Sequence, residues 1–291
     1  MKDSGALNEA SETLAAGWRV ERLTRVGSTN DEARRRALAG DPGRLWIIAR
    51  EQTSGRGRRG RVWTSPPGNL YASALLIDPS PVAIAAQIGF VAGVALRRAL
   101  DDLGASDEVE LKWPNDLVWR GAKLAGLLAE GTALSDGRLA CIVGIGVNCL
   151  GAPSGLAYAA DNLSNALGQT VSPERLFALL APRFEESLAL WRGGAGFADI
   201  RARWLDHAAG LRGPIRIAGA QGFREGVFET LDERGRLMLR GAGGLEAVEA
   251  GDLFLYEKGA GDANAIALSS EPGAVSREPI AAGQRPEKAS N

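Results

Sequence analysis

Between Val109 and Asn148 four β-like runs follow one another with little chain between them: VELKW (109–113), LVW (117–119), KLAGLLAE (123–130) and LACIVGIGVN (139–148). A parallel crossover takes about a dozen residues or more, so runs this close pair as antiparallel neighbours. That succession points to an α+β chain built on a mixed, largely antiparallel sheet with flanking helices.

Other elements frame this core. WRVERLTRV (18–26) predicts a strand, and Ser28-Thr29-Asn30-Asp31-Glu32 carries a Thr-x-x-Glu capping box for a helix ending at Gly40. LWIIAR (45–50) and LYASALLI (70–77) predict strands, followed by an apolar helix of about 22 residues from Pro81 to Leu103. After a Gly/Ala/Pro loop at 149–160, Ser172-Pro173-Glu174 opens a helix that Pro182 is expected to kink or break, and a further helix covers 197–207. Beyond Gly213 short strands with tight turns predict a small β-barrel. The resulting division is a loose tail at 1–17, a catalytic domain at 18–212, the barrel at 213–257 and a disordered tail at 258–291.

Composition removes several chemistries. His207 is the sole histidine, which excludes a histidine-based triad or a multi-histidine metal site, and no residue set identifies a resident metal. Cys141 and Cys149 match no zinc or disulfide pattern, so a reducing cytoplasm is expected. No signal peptide or membrane span is visible, and a net charge of −1 supplies no global field toward nucleic acid or membrane. Only five of the 34 cationic residues are lysines, and the two interior ones, Lys112 and Lys123, sit close together.

Two constellations carry the chemistry. The loop GRGRRGR (55–61) puts four arginines among three glycines, where backbone N–H groups and guanidinium forks can approach a polyphosphate; the same cluster also suits a solvated or RNA-binding loop. The second is Lys112-Trp113-Pro114-Asn115-Asp116 with Lys123-Leu124-Ala125-Gly126 and Gly144-Ile145-Gly146-Val147-Asn148. Ammonium, amide and carboxylate groups at adjacent strand ends suit a metal–phosphate complex and a carboxylate substrate. A plain Pro-Asn-Asp turn and glycines packed within a strand are the alternatives.

In this order and spacing, Ser28-Thr29-Asn30, Gln52 with GRGRRGR, Trp63, KWPND, KLAG and GIGVN resemble the biotin–protein ligases over about residues 20–256. The resemblance implies a class II synthetase-like catalytic domain followed by an SH3-like barrel. It also implies a two-step reaction: biotin and ATP, with Mg2+, give biotinyl-5′-AMP and pyrophosphate, and a lysine of a biotin carboxyl carrier domain then takes the biotinyl group. Ser28, Thr29, Asn30, Gln52, Gly55, Arg56, Gly126 and Leu128 would form the biotin site. Arg56, Arg58, Arg59, Trp63, Lys112, Asn115 and Asn148 would contact ATP or the adenylate. Lys123, Arg58 and Asp116 would act at the reacting groups, Lys123 between the biotin carboxylate and the α-phosphate.

Each placement has a plainer alternative: Ser28 and Thr29 also read as helix caps, Trp63 as a core aromatic and Asn148 as a strand-end cap. Only 27 residues precede Ser28, so no specific DNA binding is expected; homodimerisation stays open. Asp161-Asn162-Leu163 stands where the family more often has Thr-Ser-Leu, which leaves the closing geometry of that loop open. Lipoate or octanoate attachment and an RNA-binding module are the competing functions. No aromatic lies between Glu51 and Arg61, which counts against RNA.

Overall fold

Hydrogen-bond ladders follow from those short connections. In the computed structural model, which describes residues 8–219, 222–256 and 265–266, the first sheet contains β1 (Asn8–Thr13), β2 (Arg19–Val26), β3 (Leu45–Gln52), β4 (Leu70–Ile77), β5 (Val109–Lys112), β6 (Asp116–Trp119), β7 (Ala122–Ala133) and β8 (Leu139–Val147). Its order is β1-β2-β3-β4-β8-β7-β6-β5. Every neighbouring pair is antiparallel except β2 and β3, which run parallel because helix α1 (Thr29–Leu38) carries the chain across between them.

Both faces of this sheet are covered, which is why residues 45–49 of β3 and 70–76 of β4 are buried in succession instead of alternating. Ala33 and Ala37 of α1 pack with Leu45, Ile47, Leu75 and Ile142 on one face. The other face carries α2 (Ile88–Asp101), α4 (Pro173–Trp191) and α5 (Phe197–Leu205), with the short α3 (Leu163–Leu167) preceding α4. Residues 82–101 are long and apolar enough to cross a bilayer, yet they form mostly buried core. Trp113, Trp191 and Trp204 are packing residues, each at most 2% exposed.

A second antiparallel sheet follows: β9 (Pro214–Gly219), β10 (Gly222–Leu231), β11 (Leu237–Gly241), β12 (Gly244–Val248), β13 (Asp252–Tyr256) and β14 (Ala265–Ile266), in the order β12-β11-β10-β9-β13-β14. Ile215, Phe228 and Leu253 belong to the same apolar cluster as α2 and α5, and Trp113 Nε1 donates to Gly235 O at 3.1 Å. The two sheets therefore share one core.

Five local expectations need correction. Residues 8–17, expected to be loose, contain β1 and a 3₁₀ turn. Backbone ladder bonds to β2 hold β1, which is why apolar periodicity did not reveal it. Pro182 lies inside an unbroken α4, where the burial of Leu180, Ala181 and Phe184 beside it outweighs one missing backbone bond. The Pro81–Leu103 helix begins as a 3₁₀ segment, Val82–Gln87, and is α-helical only from Ile88. Helix α1 is capped by Ser28, whose side chain accepts from Asp31 N. Thr29 Oγ1 is occupied elsewhere, so the expected Thr29–Glu32 box does not form. Of residues 258–291, expected to be disordered, Ala265–Ile266 instead pair with β13 as β14, and 258–264 and 267–291 lie outside the described residues.

Candidate active site

Strand β2 ends at Val26, and the turn into α1 opens a cavity of about 310 Å³ at the ends of β3, β7 and β8. It brings together Ser28, Thr29, Asn30, Gln52, Arg56, Arg58, Trp63, Asn115, Lys123, Gly126 and Leu128, all expected from the sequence. Gly55, Arg59, Lys112, Asp116 and Asn148 do not line it.

One end is electrically neutral. Gln52 Oε1 accepts from Thr29 N at 2.8 Å and from Thr29 Oγ1 at 3.1 Å, while Gln52 Nε2 donates to Ser65 Oγ at 3.0 Å. The buried Ser73 hydroxyl donates to Asn30 Oδ1 at 2.6 Å and stands 2.7 Å from Thr29 Oγ1. This chain of uncharged donors and acceptors suits a neutral amide-like or urea-like group.

The glycines of β7 and β8 make room for two side chains. A Cβ on Gly144 would lie 2.4 Å from Asn30 Oδ1, and one on Gly146 would lie 2.7 Å from the Trp63 indole. Gly126 faces Gly146 across the ladder, and a Cβ on it would lie 3.2 Å from the Trp63 indole, so the indole lies over a glycine pair. The Gly144-x-Gly146 pattern is thus a shelf for Asn30 and Trp63. Gly55 has a similar reason: its Cβ would meet Trp63 O at 2.5 Å.

The other end is charged. Lys123 Nζ pairs with Asp116 Oδ1 at 2.7 Å and lies 5.5 Å and 5.7 Å from the ring centroids of Trp63 and Tyr158, an aromatic cage around an ammonium. Lys112 faces Asp116 across the β5–β6 hairpin, is 1% exposed, and its Nζ has no hydrogen-bond partner among the described residues. Burial pushes its pKa down to about 8, against the pull of Asp116.

Arg58 Nη1 donates to Asn115 Oδ1 at 3.2 Å and to Gly251 O at 3.3 Å; burial lowers its pKa, with Asp252 opposing. Asn115 Nδ2 donates to Leu127 O at 2.8 Å, so this amide holds the hairpin turn and Arg58 together. Arg59 and Arg61 both reach Asp252 at 3.0 Å, which places Arg59 against the second sheet rather than in the cavity. Asn148 is buried and donates to Asp161 O at 3.0 Å; it lines a smaller adjoining pocket with Trp63, Lys123 and Tyr158.

Residues 149–163 fold back over β7. Lys123 N donates to Ala159 O at 2.8 Å and Asp161 N to Lys123 O at 3.1 Å, which brings Tyr158 above the Lys123 ammonium. Asn162 caps α3 by accepting from Asn165 N, so the Asp-Asn-Leu variant still makes a cap. Sequence reasoning missed Ser73, Tyr158 and Asp252. Tyr158 is the sole aromatic of the Gly/Ala/Pro loop and could have been noticed, whereas Ser73 and Asp252 show no local signal.

Residues 23–148 match the Biotin/lipoate A/B protein ligase family. A biotin–[acetyl-CoA-carboxylase] ligase of Paracoccus denitrificans is 41% identical over 242 residues, covering 80% of this chain and 98% of that protein. One from Mycobacterium tuberculosis is 31% identical over 86% of this chain and 94% of its own length. Among solved structures, a biotin protein ligase from Aquifex aeolicus in complex with biotin and ATP superposes with a TM-score of 0.68 at 27% identity, covering 80% of this chain and 97% of that one. Identity of this extent across nearly whole relatives establishes that the chain belongs to the biotin–protein ligases.

Proposed function

We propose that this chain joins biotin to a lysine of a carboxyl carrier domain of a biotin-dependent carboxylase, such as acetyl-CoA carboxylase, through biotinyl-5′-AMP. The observation that carries the reading is the division of one cavity into a neutral hydrogen-bonding end and a cationic end. The relatives support it, being ligases named for biotin and acetyl-CoA carboxylase.

In the first step a biotin carboxylate oxygen attacks the α-phosphorus of ATP, and the bond to the pyrophosphate oxygen breaks. Two anions must approach, so the reaction needs fixed positive charge in a dry site. Lys123 is the central cation, its stem set by β7 and its head held by Asp116, Trp63 and Tyr158. Arg58 and the buried Lys112 add charge from behind, and Trp63 with Asn148 borders the adenine side. Mg2+ arrives with ATP as part of the substrate complex. In the second step the carrier lysine amine attacks the acyl carbon, AMP leaves with the electron pair, and the amine proton passes to solvent. A cytoplasmic setting suits the free, buried thiols of Cys141 and Cys149.

Lipoate attachment, which shares the matched family model, is the competing substrate. Biotin-dependent ATP–pyrophosphate exchange, repeated with lipoate and octanoate, tests the choice. Exchange with biotin alone is expected; exchange driven by lipoate or octanoate in its place would overturn the assignment.

A further inference from the structure

Glu130 on β7 has no part in the reaction outlined above, yet three side chains converge on its carboxylate. Arg56 Nη2 donates to its two oxygens at 3.2 and 3.0 Å, Asn30 Nδ2 donates to Oε2 at 2.7 Å, and Arg34 Nη2 lies 3.4 Å from Oε2. Asp31 completes the arrangement: its oxygens take Arg56 Nη1 at 2.6 Å and Arg34 Nη1 at 3.0 Å. Arg34, Asp31, Arg56 and Glu130 therefore form a closed ring of alternating charges that sum to zero.

This ring changes what Arg56 does. With a carboxylate on each side, its guanidinium presents little net charge to an incoming anion, and it ties the N-terminus of α1 to β7 instead. Glu130 is the member that also holds Asn30. Asn30 in turn accepts from Ser73, beside Thr29 and Gln52, so the ring joins the neutral end of the cavity through one carboxylate. Gly144 leaves the space Asn30 needs to reach it.

We infer that Glu130 is a positioning residue for biotin: it sets Asn30 and Arg56 at the rim of the biotin slot while making no contact with the reacting groups. The inference rests on the ligase reading. Glu130→Gln keeps the shape and one acceptor oxygen but opens the ring. It should raise the biotin KM of ATP–pyrophosphate exchange, and the biotin Kd measured calorimetrically without ATP, by about tenfold. The ATP KM should stay within about twofold and kcat within about threefold, since the lost interaction holds the substrate equally in ground and transition states. Arg34→Ala opens the same ring without touching Asn30 or lining the cavity, and should leave the biotin KM within about twofold.

An unchanged biotin KM in folded Glu130→Gln protein would overturn the inference alone. An equal rise in Arg34→Ala would do the same, since ring charge rather than placement of Asn30 would then be the cause. Absence of biotin binding and exchange in the parent protein would overturn the ligase reading and this inference with it.

Discussion

At the neutral end of the cavity Thr29, Gln52, Ser73 and Asn30 are satisfied by one another and by Ser65 and Glu130; at the charged end Lys112 Nζ and Trp63 Nε1 are buried without hydrogen-bond partners among the described residues. Asp116 Oδ1 is held by Lys123 Nζ at 2.7 Å. A satisfied network costs little to keep and holds one geometry, whereas an unsatisfied buried group destabilises the fold until something pairs with it. The contrast teaches that the neutral end, which on the proposed reading takes biotin, is built in advance, and that the charged end keeps polar groups short of partners, which on the same reading polyphosphate would meet. Substitutions at the two ends should accordingly fail in different ways.

The largest effect is expected at Lys123. Lys123→Ala should slow pyrophosphate release by at least about 10², the scale of losing one preorganised electrostatic contact, and Lys123→Arg nearly as much, because a planar fork does not fit an ammonium cage. Calorimetric biotin binding should change far less. Synthetic biotinyl-5′-AMP should partly restore carrier labelling, since it bypasses the first step. Near-normal adenylation in Lys123→Ala would remove the charged end from the chemistry.

Lys112→Met should move stability and activity in opposite directions. Removing a buried ammonium that makes no hydrogen bond among the described residues should raise the ligand-free Tm by about 5 °C, while adenylation falls about tenfold. The pH dependence has a definite sign. With the folded pKa lowered to about 8 from 10.5, the unfolded chain holds the proton across that interval and the folded chain does not. The contribution of Lys112 to stability therefore rises with pH between those values and is flat below about 8. Urea unfolding from pH 7 to 10.5 should show that slope in the parent and lose it in the Met variant.

Asp252→Asn releases Arg59 and Arg61 from the second sheet. The ATP KM should rise about fivefold with the biotin KM unchanged, a separation that steady-state kinetics reads directly. The smallest change is expected for Thr29→Val. It removes one of the two hydrogen bonds to Gln52 Oε1, so the biotin Kd should rise about threefold with no effect on ATP.

Legibility in the sequence follows the range of the interactions. Strands β5 to β8 were readable because their turns are local, and Lys112, Lys123 and the Arg/Gly loop stood out as dense chemical strings. Three kinds of feature were not. Strand β1 is held by backbone pairing to a distant strand, which leaves no side-chain pattern. Ser73 and Asp252 become part of the site only because the topology brings β4 against α1 and β13 against the Arg/Gly loop. Thr29 and Glu32 have the spacing of a capping box, but the contact of Thr29 with Gln52, 23 residues away, outweighs the local motif. Pro182 fails as a helix breaker for the same reason, since α4 is held by packing along its buried face.

Carrier modification is the most direct measure of the central claim. A purified biotin carboxyl carrier domain is incubated with the protein, labelled biotin and Mg-ATP, and followed by intact-mass and peptide mass spectrometry alongside pyrophosphate release. The account predicts one biotinyl group on one carrier lysine, dependent on ATP and matched by one pyrophosphate per transfer. An unmodified carrier with no pyrophosphate released, under conditions where an active relative labels it fully, would contradict it.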